Sequence, residues 1–221
     1  MPAGYAFDVA AAIPLTGLTA WQGLVEELQV QSGQRLLIPG GSGSFGQMAV
    51  PIARALGLRV VVTGNERSRE AFLAMGAERY IDYRRENYWE ELSGVDAVID
   101  TLGAGEFEHE LSVLKPGGRL LSLRTAPNGE FARRNGFPWY KRALFTLAGM
   151  KYDRAARRQG KEYRFLFVHA DGEQLRRITE LVEREHIVPA IDPHCFSLEE
   201  INDALRLVAE GPLRGKVIIR M

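Results

Sequence analysis

Residues 40–46 read Gly-Gly-Ser-Gly-Ser-Phe-Gly, and Gly41, Gly43 and Gly46 supply the spacing GxGxxG. The apolar run RLLIP (35–39) leads straight into this turn, and a stretch with helical spacing (45–56) leaves it. In a turn of this kind each glycine has its own task. The first permits a tight reversal, the second lets backbone approach a diphosphate, and the third lets helix and strand pack closely. That anion would sit over the unpaired N–H groups and positive dipole end of the helix. The spacing alone is weak evidence. Its place in a strand–turn–helix–strand unit, with RVVVT (59–63) as the second strand, points to a dinucleotide, with a purely structural turn as the alternative. No Gly-Lys-Ser/Thr closes the turn and no lysine-bearing strand or HRD segment follows, which excludes the Walker and kinase loops.

A site that grips the ribose hydroxyls of NAD carries an acid about 20 residues past the loop, at the tip of the second strand. Here that tip reads Thr63-Gly64-Asn65, without a carboxylate. Just beyond it Arg67 and Arg69 flank Ser68, where a ribose 2′-phosphate would lie, and guanidinium forks suit phosphate geometry. Glu66 is discordant, because an inward carboxylate would repel that phosphate. The pattern favours NADP(H). The alternative is a solvated, arginine-rich helix start.

The elements that hold these residues alternate along the chain. Runs 35–39, 59–63, 79–82, 96–100 and 119–123 are short, apolar and bounded by turn signals, as buried strands are. Between them, 45–56, 68–75, 88–92 and 107–114 carry helical spacing. Strand–helix alternation predicts an α/β fold of Rossmann type, with helices on both faces of a doubly wound parallel sheet. Residues 15–28 predict a lead-in helix within 1–30, and 172–185 and 198–210 further helices. YRFLFV (163–168) and KVIIR (216–220) predict later strands. Residues 128–160, rich in Arg, Lys and aromatics, predict an irregular or helical basic segment over the sheet edge. With no repeat or linker, residues 1–221 read as a single domain.

Composition narrows the partners. The 28 basic and 28 acidic residues cancel, so no global field draws the chain to nucleic acid or membrane. The arginine-rich segment leaves a local anionic partner open, beside the reading of a solvated face. No apolar run reaches the roughly 18 residues of a membrane span, and the start lacks a secretory pattern. One cysteine, Cys195, and four histidines without ligand spacing predict neither disulfides nor a metal site. His194 and Cys195 are chain neighbours, and adjacent residues rarely face each other as a nucleophile pair. A cytoplasmic protein is expected.

Taken in order, AIPLTGLTA (12–20), GGSGSFG (40–46), IDY (81–83), DAVIDTLG (96–103), LKPGG (114–118) and RGKVII (214–219) resemble medium-chain dehydrogenases/reductases, on their zinc-independent, quinone-oxidoreductase-like branch. The resemblance covers the coenzyme domain of that family and nearly the whole chain. It implies that Thr16 lies near the nicotinamide ribose, that Ser42, Ser44 and Phe45 wrap the pyrophosphate, and that Tyr83 lies beside the adenosine phosphate, a half-buried strand tyrosine being the alternative. Thr101 would follow the fourth strand, with Ser122 and Arg124 at the end of the fifth. Phe167 and His169 would approach the nicotinamide. Lys216 either reaches a cofactor phosphate or is an exposed strand lysine. Where zinc-dependent members carry a cysteine ligand this chain has Ala12. Only eleven residues precede Ala12, where the family has a GroES-like domain, so either a truncated or a naturally short form is expected.

The implied activity is hydride transfer from NADPH to a quinone, enone or enal, with no catalytic residue identified. The alternative is a non-catalytic NADPH-binding module that senses redox state or docks on a partner. The edge strand at 163–168 is a pairing liability that a homodimer joined through the sheet edge would cover.

Overall fold

Alternate side chains of the short apolar runs are buried on opposite faces of one sheet. In β1 (Arg35–Ile38) Leu36 and Ile38 enter one hydrophobic cluster and Leu37 the other. The same division separates Val60 and Val62 from Val61 in β2 (Arg59–Gly64), Tyr80 from Ile81 in β3 (Arg79–Asp82), and Ile99 from Val98 in β4 (Val95–Asp100). A period of two with both faces apolar requires cover on both sides. In this computed structural model, which describes all residues except Pro212, Arg214 and Met221, that cover is helical. Arg214, the first residue of RGKVII, therefore lies outside the described residues.

With β5 (Leu114–Ser122) and β6 (Glu162–Phe165), the strands form a six-stranded sheet ordered β3-β2-β1-β4-β5-β6, every pair parallel. The expected doubly wound α/β domain is present. A short helix, α1 (Phe7–Ala11), precedes it. One face is covered by α2 (Pro14–Trp21), α3 (Ser44–Ala55), α4 (Arg69–Ala74) and α9 (Gly172–Glu185). The other face is covered by α5 (Tyr88–Glu91), α6 (Phe107–Val113) and α8 (Trp139–Arg158). Successive strands run outward from β1 on one side and, after β3, outward through β4 on the other. That reversal opens a crevice at the C-terminal ends of β1 and β4, the usual ligand position in such sheets.

Several details sharpen or differ from the sequence expectation. The lead-in helix over 15–28 changes at Gln22 into a wider π-type turn, Gln22–Glu27. There the buried Gln22 amide donates to His169 O at 2.9 Å and to Gln174 Oε1 at 3.0 Å. The basic segment is two helices, α7 (Gly129–Arg134) and α8. Asn128 caps α7 by accepting from the Phe131 N–H at 2.9 Å, and Tyr152 and Ala156 anchor α8, while its clustered cations hide the helical period. β6 ends at Phe165, because Leu166 turns into the core. KVIIR forms the expected strand, β8 (Lys216–Arg220), but it pairs with β7 (Ile191–Ser197) in a separate two-stranded sheet. β7 went unforeseen because Pro193 interrupts its apolar pattern. The last helix, α10 (Ile201–Glu210), begins three residues later than the 198 expected from the sequence.

Candidate functional site

The turn after β1 divides its glycines by task. Gly40 bends the chain off the strand at φ +62°, and its N–H donates to Thr63 Oγ1 at 2.9 Å, tying the loop to β2. Gly41 and Gly46 touch: a Cβ on Gly46 would stand 1.7 Å from Gly41 O, and one on Gly41 would stand 2.7 Å from Ile38 Cγ2. Around Gly43 the reverse holds, with no atom within 4 Å of an ideal Cβ. Gly43 is also the N-cap of α3, and no side chain caps that helix. The first-turn N–H groups of a helix have no intrahelical acceptor. At α3 they start beside the exposed backbone of Gly43 with no side chain capping them, as an anion site needs.

Beside this loop lies a cavity of about 360 Å³ lined by Thr16, Phe45, Thr101, Arg124 and Phe167, together with Leu15, Thr19, Leu123, Leu166 and Val168. The structure thus brings five of the expected site residues, from separate chain segments, around one crevice. Two of them are fixed by backbone carbonyls: Thr16 Oγ1 donates to Ala12 O at 3.1 Å, and Thr101 Oγ1 to Pro39 O at 2.6 Å. The second bond spans the gap between β1 and β4, so it sets the width of the crevice floor. Phe167 stands 72% exposed on the rim.

The tip of β2 forms the other flank of the loop. Gly64 is buried, and a Cβ there would meet Tyr80 Oη at 2.1 Å and Ser42 Cβ at 2.5 Å. The Tyr80 hydroxyl donates to Asn65 O at 2.8 Å and meets Ser42 and Ser68, and burial pushes its phenol pKa up. Ser68 Oγ donates to Asn65 Oδ1 at 3.4 Å. Arg69 is already engaged: it donates to Glu66 Oε1 at 2.9 Å and to Tyr80 O at 2.8 Å. Glu66, discordant in the sequence, is thereby turned onto Arg69. Arg67 is exposed and makes no ion pair among the described residues. Tyr83 is exposed at the tip of β3, with its N–H donating to Gly64 O at 3.2 Å and the Arg84 guanidinium 5.8 Å from its ring centroid.

Three expected contacts lie elsewhere. Ser122 is wholly buried beneath the crevice, donating to Asp100 Oδ2 at 2.5 Å. His169 is exposed beside a different, smaller cavity shared with Glu26, Glu27 and Arg134. Lys216 Nζ donates to Ala12 O at 3.2 Å, and burial lowers its pKa. Sequence reasoning missed Tyr80 and Asp100. Asp100 left a signal, an acid ending an apolar strand; Tyr80 was one apolar residue among several.

Metal chemistry lacks a donor set here. Among the described residues no group of three or more His, Cys, Asp or Glu side chains is placed to hold an ion. His109 stacks on Trp89 with ring centroids 3.7 Å apart, His194 Nδ1 pairs with Asp192 Oδ1 at 2.7 Å, and His186 ends α9 in the left-handed conformation.

Comparison with known proteins gives the family and the fold. Residues 75–219 match the family described as zinc-binding dehydrogenase. The mitochondrial NAD(P)H oxidoreductase RTN4IP1 of Danio rerio is 28% identical over 227 residues, covering 99% of this chain and 58% of that protein. The quinone oxidoreductase structure from Coxiella burnetii superposes with a TM-score of 0.79 at 27% identity, covering 98% of this chain and 62% of that one. The quinone oxidoreductase from Thermus thermophilus, whose structures include a complex with NADPH, gives a TM-score of 0.73 at 25% identity over 100% of this chain and 68% of that one. The chain spans less than two thirds of the length of the first curated relatives it matches.

Proposed function

The chain belongs to the zinc-binding dehydrogenase family, and from that premise we propose that it binds NADPH and serves hydride transfer to a quinone, enone or enal. The observation that carries this reading is the uncapped N-terminus of α3 beneath the open backbone of Gly43. The donor set among the described residues does not fit the zinc of the family description, so the chemistry proposed is metal-free.

The fit to a dinucleotide is residue by residue. First-turn amides of α3 would hold the diphosphate, with Ser42, Ser44 and Phe45 around it. Gly64 and Tyr80 shape the flank where the adenosine ribose would lie. Arg67 is the guanidinium left open for a 2′-phosphate, since Arg69 is held by Glu66 and Tyr80 O. Bound there, NADPH supplies the hydride, while the protein supplies orientation and electrostatics. Leu15, Phe45, Leu123 and Phe167 give the crevice apolar walls against which the acceptor would pack. Thr16 and Thr101 present hydroxyl groups at its floor.

Titration with NADPH and NADH, followed by nicotinamide fluorescence, tests the binding. Tighter NADPH is expected, and tighter NADH would overturn the role given to Arg67. Turnover of simple quinones with NADPH tests the reaction. One observation favours the second reading, a binding module without catalysis: among the described residues no carboxylate, histidine, tyrosine or lysine lines the crevice to act as general acid. Cofactor binding without reduction of any acceptor would select it.

Among the described residues β6 has a single neighbour, β5, which leaves one edge of the sheet unpaired. A homodimer joined there satisfies those backbone groups. Sedimentation at micromolar concentration should give the dimer mass; a monomer would refute it.

A further inference from the structure

Asp100 ends β4 at the crevice and is wholly buried. Its Oδ1 accepts from the N–H groups of Leu102 and Gly103 at 2.8 and 2.6 Å, and its Oδ2 accepts from Ser122 Oγ at 2.5 Å. Ser122 Oγ in turn accepts from the N–H groups of Arg124 and Thr125 at 3.2 and 2.9 Å. One carboxylate therefore holds both turns that bear crevice residues, the one after β4 with Thr101 and the one after β5 with Arg124. Three donors converge on Asp100, so it acts as acceptor throughout.

Facing Asp100 from α6 is Glu110, itself wholly buried, and among the described residues no group donates a hydrogen bond to either of its carboxyl oxygens. Glu106 at the start of α6 and Tyr88 on α5 are the other titratable groups that act on it, while buried Lys161, just ahead of β6, is turned onto the neighbouring Leu111 O. Tyr88 on α5 donates to Glu106 Oε2 at 3.1 Å, and Glu106 stands at the N-cap of α6. Among the described residues no cation faces Glu110 to neutralise it. A carboxylate buried without a partner is costly, whereas a carboxylic acid beside an acceptor is not.

We propose that Glu110 is a positioning residue: a neutral carboxylic acid that shares its proton with Asp100 and so holds the two crevice turns in register. The assignment rests on the cofactor reading only for its consequence, since the brace itself is a property of the fold. Burial, then the negative charge of Asp100, raise the Glu110 pKa to about 10, so the acid form persists through neutral pH. Loss of the proton would set a second buried charge against Asp100 and Glu106 and loosen both turns.

Three proteins decide it: wild type, Glu110→Gln, which keeps a donor but cannot titrate, and Glu110→Ala, which removes it. Amide hydrogen exchange near pH 7 reads the brace without cofactor. In Glu110→Ala, exchange at Leu102, Gly103, Arg124 and Thr125 should quicken by about tenfold, the cost of one buried hydrogen bond, while Glu110→Gln stays near wild type. NADPH titration reads the consequence. Above about pH 10 wild-type affinity should fall more steeply than that of Glu110→Gln, because the two share every other titrating group and only wild type loses a proton at position 110. Unchanged exchange in Glu110→Ala overturns the proposal. If that variant does not fold, parallel pH profiles for wild type and Glu110→Gln overturn it. Altered exchange with no NADPH binding in any protein leaves the brace standing and refutes the cofactor reading instead.

Discussion

Two alanine substitutions in one loop, Gly46→Ala and Gly43→Ala, should fail in opposite ways. Helix propensity alone makes Gly46→Ala stabilising, by about 1 kcal/mol inside α3. The structure reverses the sign. The new methyl would stand 1.7 Å from Gly41 O, with Phe72 Cε1 at 3.2 Å behind it, and backbone has no rotamer with which to retreat. Either α3 or the Gly41 peptide must shift, and overpacking of this kind costs about 1–3 kcal/mol. For a domain of this size each kcal/mol lowers Tm by roughly 2–4 °C, so a net fall of about 5 °C is expected in a thermal melt. At Gly43 no atom lies within 4 Å and φ is −88°, a conformation open to alanine, so Tm should stay within about 2 °C. Its methyl instead occupies the space given to the diphosphate, and NADPH affinity should fall by about tenfold or more. The reasoning is refuted if Gly43→Ala binds NADPH like wild type, or if Gly46→Ala melts at or above the wild-type temperature.

Arg67→Ala should weaken NADPH by about tenfold, the worth of one charge-assisted hydrogen bond, and leave NADH within about twofold in the same fluorescence titration. Arg69→Ala should instead cost stability, since its partners Glu66 and Tyr80 O belong to the fold; urea denaturation should show a lower midpoint. Glu110 gives a pH signature. Its folded pKa, about 10, lies above its ordinary 4.5, so the native state keeps a proton that the unfolded chain releases. That contribution is complete below about pH 4.5 and is lost as pH rises toward about 10. Between about pH 6 and pH 8 wild-type stability should therefore fall by roughly 3 kcal/mol relative to Glu110→Gln, and parallel urea curves would refute it.

The strands and the phosphate turn were legible because their causes are local. Val60, Val61 and Val62 carry β-branching and burial in three adjacent letters, and the glycine spacing is contiguous. What stayed hidden depends on partners distant in the chain. Nothing near Ser122 announces that Asp100 will claim its hydroxyl, 22 positions away. The Arg67–Arg69 pair read as two equivalent phosphate ligands, and only the fold shows Glu66 and the Tyr80 carbonyl taking one of them. Glu110 left no signal of its own, because its neighbours on α6, Glu108 and His109, are polar too. β7 was obscured by Pro193, and its partner β8 lies far downstream.

The parallel arrangement of all six strands gives the molecule two unequal poles. The crevice, the glycine turn and the buried acid pair gather at one of them. At the other, Gly33 and Gly94 lead into β1 and β4 at φ +86° and +68°, with no atom within 4 Å of where a side chain would begin. That pole is free ground for engineering. A peptide tag or fluorescent reporter spliced at Gly94 should leave the opposite pole undisturbed, which makes the protein a ready scaffold for a coenzyme sensor.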